Sequence, residues 1–117
     1  AHTSTVAELS QAVLLTSEIE RMGRGDHAAA WDRLLGATYI ARTWGDAYGY
    51  LLVATGRAEI MLDPVMQIWD CGPFGVILPE AGGTFTDWQG AATIRAGEAV
   101  ATNGALAAAV QAIIDDR

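Results

Sequence analysis

Apolar and polar residues alternate in blocks along most of the chain. "AVLLTSEI" (12–19) is a short apolar run of strand length. "GRGD" (23–26) reads as a turn, with Asp26 as the candidate cap of a helix, "HAAAWDRLLGA", that ends near Gly36. "TYIARTW" (38–44) is β-branched and aromatic and predicts a second strand. "GDAYGYLLVATGRAE" predicts a helix with Asp46 as candidate cap, an apolar face from Tyr50, Leu51 and Val53, and a stop at Gly56. "RAEIMLDP" (57–64) predicts a third strand ended by Pro64. A helix is expected from Asp70 to about Glu80, closed by Gly82 and Gly83. Pro73 falls in its tolerant first turn, whereas Pro79 should distort its last. "TFTDW" (84–88) and "EAVATN" (98–103) predict two more strands, and "GALAAAVQAIIDD" a closing helix. The opening "AHTSTVAELS" is polar and weakly patterned. Residues 1–11 therefore read as an arm or short helix, and 12–117 as one α/β domain.

This alternation implies a layered α/β fold: a sheet of about five mostly parallel strands with helices on both faces. In such sheets ligands gather where strands end and helices begin. Asp46, Asp63 and Asp70 all fall at junctions of that kind.

Composition narrows the function. The chain has 117 residues, 51% hydrophobic and 18% charged, which suits a globular domain with a real core. Fourteen acidic against seven basic residues give a net charge of −7, which argues against duplex nucleic acid as a partner. A surplus of surface acids commonly serves solubility. It is also compatible with a metal that offsets acidic groups. No apolar run reaches the roughly 18 residues of a membrane span. The one cysteine, Cys71, excludes an internal disulfide and fits a reducing, cytoplasmic compartment. No signal-peptide pattern opens the chain, and the first residue is not Met, so the true start is expected to be missing or trimmed.

Few motifs carry chemistry on their own. No HExxH, paired-cysteine, GxSxG, GxxxxGK[ST] or GxGxxG pattern occurs. His2 lies in the arm and His27 follows the Asp26 cap. Asp70 opens "DCGPFGVILPEAGG" and is either a helix cap or a hard-cation ligand, since Mg²⁺ favours carboxylate oxygens. Asp63 is a strand-end acid, solvated or functional. Asp46, after Gly45, is a cap or a pocket residue, and Gly45 serves a turn or a close ligand approach.

The stretch from "WGDAYGY" through "LDPVMQIWD" to "EAGG" resembles the C-terminal half of the inositol monophosphatase superfamily. The resemblance rests on Trp69-Asp70, the small residues after it, and Glu80-Ala81-Gly82-Gly83. "WGDxYGY" and the "LDPVMQIWD" spacing look most like the histidinol-phosphate phosphatase branch, and "EAVATNGAL" also fits. The match covers about residues 38–110. It implies a Mg²⁺-dependent phosphomonoesterase with a layered α/β/α/β/α architecture. By resemblance, Asp70 is the catalytic metal ligand. Asp63 contacts the substrate's alcohol portion, and Gly45, Asp46 and Ala47 line the substrate pocket.

The departure is as informative. Family enzymes carry a D-P-[IL]-D-G-[ST] motif and an upstream glutamate in an N-terminal half, and neither occurs here. One carboxylate cannot assemble the metal cluster that activates water and stabilises phosphoryl transfer. The expected partners are thus a small phosphomonoester substrate and either the missing N-terminal half or a second copy of the chain. The alternative is a catalytically incomplete binding or assembly module. It would self-associate through the face left by the missing half.

Overall fold

The computed structural model describes residues 1–25, 27–43, 48–64 and 72–115. Among them five short strands form one sheet: β1 (Val13–Thr16), β2 (Ile40–Thr43), β3 (Ile60–Asp63), β4 (Gly83–Thr86) and β5 (Ala99–Asn103). Their order across the sheet is β2-β1-β3-β5-β4. β1 pairs in parallel with β2 and with β3, while β5 pairs antiparallel with β3 and with β4. β5 alone therefore runs against the others, and the expected mostly parallel sheet is present.

Side chains along each strand point alternately to the two faces, and each face has its own helical layer. Leu14, Ile60, Leu62 and Val100 pack with α1 (Ile19–Arg24), α2 (Ala28–Ala37) and α5 (Ala107–Asp115). Met22, Trp31, Leu34 and Val110 supply the helical side of that layer. Leu15, Met61, Phe85, Ala99 and Ala101 pack with α3 (Tyr48–Ala54) and α4 (Phe74–Glu80) through Tyr50, Val53, Phe74 and Leu78. No described helix is long and apolar enough to cross a membrane.

Several boundaries differ from the sequence reading. The strand expected at 12–19 stops at Thr16, and α1 follows it as a helix that the reading missed. Asp26 lies outside the described residues, and His27 stands at the N-cap of α2 without a capping side-chain bond. Leu51, expected on the apolar face of α3, is 45% exposed. α3 does end as expected at Gly56 (φ +80°). There the Arg57 and Gly56 N–H groups donate back to Leu52 and Val53. Pro79 stays inside α4, where a distorted last turn was expected, and the departure from ideal helix takes the form of a tightened end. The Ala81 N–H is shared by Ile77 and Leu78 carbonyls, and Gly82 bonds back to Pro79. β4 begins at Gly83 and ends at Thr86, so Asp87 and Trp88 leave the sheet.

The N-terminal arm is tied to the far end of the sheet. The Thr3 N–H donates to Ala81 O at 2.9 Å. The Asn103 amide donates to Ser4 O, Ser4 Oγ and Val6 O, and its oxygen accepts from the Leu106 N–H. A 3-10 turn at Leu9–Gln11 leads into β1.

Candidate functional site

The strands β1, β2 and β3 end together at one edge of the sheet. Thr16 stands beside Thr43 and Leu62, and Asp63 closes β3 one residue further on. Two residues beyond Met61, the Asp63 side chain shares its face of the pleat and turns toward α3. It is 4% exposed.

A buried carboxylate needs donors, and Asp63 has two. Ser17 Oγ, just past the end of β1, donates to Oδ1, and the Tyr50 hydroxyl donates to Oδ2. Tyr50 is itself fully buried, its ring stacked on Phe74 and tilted against Phe85. Burial pushes the Asp63 carboxyl above its ordinary value. The Ser17 and Tyr50 hydrogen bonds pull the other way, and the negative charge of Glu18 adds to the rise.

The other layer reaches the same residue through its main chain. The Trp88 indole N–H donates to Asp63 O at 3.3 Å. Trp88 lies flat on His27, with ring centroids 3.8 Å apart and 6° between planes. Glu98 joins the two: one carboxylate oxygen accepts from the Trp88 N–H at 3.0 Å, and the other lies 3.2 Å from His27 Nε2. Nearby, α1 carries Arg21 and Arg24 paired with Glu18 and Glu20, so neither cation is unengaged.

Of the residues singled out in the sequence, Asp63 is therefore a buried, doubly bonded carboxylate at the strand-end edge. Gly45, Asp46, Ala47 and Asp70 lie outside the described residues. Among the described residues no three His, Cys, Asp or Glu side chains converge as metal ligands, so these residues alone do not fit a metal centre. Nothing in the sequence singles out Ser17 or Glu98, Trp88 reads as core or site wall, and Tyr50 falls on an apolar helix face within "WGDxYGY". The Tyr-X12-Asp spacing of Tyr50 and Asp63 spans a helix, a turn and a strand, and no local periodicity marks it.

Comparison with known proteins gives the family. The sequence profile described as "Inositol monophosphatase family" matches residues 1–116. A histidinol-phosphatase of Chlorobaculum parvum is 38% identical over 104 residues, which cover 88% of this chain and 40% of that protein. The histidinol-phosphatase of Mycobacterium tuberculosis is 36% identical over 103 residues, with the same coverage. The inositol monophosphatase structure from Anabaena (Nostoc) sp. PCC 7120 superposes with a TM-score of 0.83 at 27% identity, over 97% of this chain and 46% of that one. The suhB protein of Bartonella henselae, at 23% identity and a TM-score of 0.88, shares the fold. The chain spans about two fifths of the length of the curated relatives it matches. On the profile match and these relatives, the chain belongs to the inositol monophosphatase family.

Proposed function

We propose that this chain is the C-terminal part of a Mg²⁺-dependent phosphomonoesterase of the histidinol-phosphatase kind. It would supply one metal-ligand carboxylate and part of the substrate pocket. The observation that carries the reading is Asp63: a buried carboxylate fixed by two hydroxyl donors, at the edge where β1, β2 and β3 end. Each carboxylate oxygen can accept more than one hydrogen bond. Ser17 and Tyr50 thus orient Asp63 while leaving it able to accept a bond from a polar group of the substrate. In this account Gly45, Asp46 and Ala47 line the same pocket, and Asp70 binds one Mg²⁺. The described residues form no ligand cluster, and in this reading an N-terminal half or a second copy of the chain supplies further donors. The arm (1–11) and the single domain (12–117) form the C-terminal half, the metal-binding half being N-terminal to it. The lone Cys71 suits a reducing, cytoplasmic setting.

A graft tests this. The matched segment of the Chlorobaculum parvum histidinol-phosphatase is replaced by this chain, and phosphate release from histidinol phosphate and inositol monophosphates is followed. Asp63→Asn and Asp46→Asn should raise KM more than they lower kcat. Unchanged kinetics in both variants would remove these residues from the pocket.

A second reading has its own support. Tyr48 and Leu51 on α3, and Val76 and Ile77 on α4, are apolar side chains with 38–60% exposure. α3 and α4 cover the same face of the sheet. That surface favours an assembly role, in which the chain pairs with a second copy or with another segment through this face. Sedimentation of the isolated chain would then show concentration-dependent association, weakened by Val76→Lys.

A further inference from the structure

We propose that Trp88 is a positioning residue for Asp63, holding the strand end that carries the carboxyl group. The inference rests on the substrate-facing role proposed above for Asp63.

The two helical layers converge on this one residue. From the α3–α4 side, Tyr50 holds the Asp63 side chain, with Ser17 as the second donor. From the α1–α2–α5 side, Trp88 holds its main chain. Asp63 is the last β3 residue in register with β5, opposite Ala99. Beyond it the β3–β5 ladder no longer restrains the backbone, so a donor to its carbonyl fixes where the strand stops.

Trp88 is built to stay in place. It is 2% exposed. Its N–H donates to Glu98 and its carbonyl accepts from the Gln111 amide at 3.1 Å. One ring face lies on His27, which Glu98 also reaches. Apolar packing alone asks only for an aromatic body. The indole N–H is the polar part of this side chain, and it is spent on Asp63 O.

The test uses the 117-residue chain. Trp88→Phe removes the N–H and keeps an aromatic ring against His27. Val110→Ala weakens the same core layer through a residue on α5 that makes no hydrogen bond to Asp63. The side-chain carboxyl of Asp63 is followed by ¹³C NMR across pH, alongside thermal unfolding. Trp88→Phe should move the Asp63 midpoint down toward the ordinary aspartate value of about 3.9, as water reaches a loosened strand end. Val110→Ala should lower the melting temperature and leave that midpoint where it was. Glu98→Ala removes the acceptor of the Trp88 backbone N–H and leaves the indole in place. It should move the midpoint less, in the same direction, and it serves if Trp88→Phe does not fold. An unmoved midpoint in the folded Trp88 or Glu98 variant, or an equal move in Val110→Ala, overturns the proposal. The readout is the Asp63 carboxyl itself, so it stands apart from the phosphatase assay that decides whether Asp63 meets substrate.

Discussion

Replacing Asp63 by asparagine isolates one ionisation in the core. Asp63 is 4% exposed, and burial outweighs the Ser17 and Tyr50 donors to hold its carboxyl above the ordinary range. A raised pKa means that the folded chain binds this proton more tightly than the unfolded chain does. The resulting stability is fully present below the unfolded value, near about 3.9, and is lost as pH rises through the folded value. Within that window each pH unit removes up to about 1.4 kcal/mol. The Asp63→Asn variant has no such ionisation. Its amide oxygen still accepts from one hydroxyl, and its NH₂ can donate to the other. The stability of Asp63→Asn relative to the wild type should therefore climb with pH across the window and level off above it. Urea unfolding at steps from about pH 3 to about pH 8 measures the difference. A difference that stays flat throughout, or falls as pH rises, would refute the buried-carboxylate account.

Tyr50→Phe removes the buried donor to Asp63 Oδ2. It should raise the Asp63 midpoint further and cost about 1–3 kcal/mol at neutral pH, read by NMR titration and denaturation. Asn103→Ala removes the cap on Leu106 and three bonds to the arm. A loss of about 2–4 kcal/mol is expected, with faster hydrogen exchange at the Thr3 amide. Gly104→Ala would put a Cβ at 2.4 Å from Gly82 O and should destabilise the chain in thermal melts. Gly36→Ala, which meets open space near the end of α2, should instead gain up to about 1 kcal/mol.

The sheet and most of its helices were legible because apolar runs and turn residues agree. Within "EIMLDP" Ile60–Asp63 becomes a wholly buried strand, and Gly56 takes the positive φ that ends α3. α1 was not legible: "SEIERMGR" has one inward residue, Met22, and reads as the tail of a strand followed by a turn. Leu51 shows the limit of the apolar pattern, since it lies on the outer side of α3 between inward Tyr50 and Val53. Asp63 was legible as a strand-end acid, and its place in a pocket is what the resemblance implies. Its surroundings were not. Ser17, Tyr50, Trp88 and Glu98 come from four separate stretches that only the β2-β1-β3-β5-β4 order and the two-layer packing bring together.

If this chain supplies a metal-binding carboxylate to a phosphomonoesterase site, Asp70 is the residue whose removal must show it. In the Chlorobaculum parvum graft, phosphate release from histidinol phosphate is measured against Mg²⁺ concentration, with and without Asp70→Asn. Mg²⁺-dependent turnover is expected in the graft, with a folded Asp70→Asn variant that has lost it or needs far more Mg²⁺. A folded graft without turnover, or an Asp70→Asn variant with an unchanged Mg²⁺ response, would contradict it.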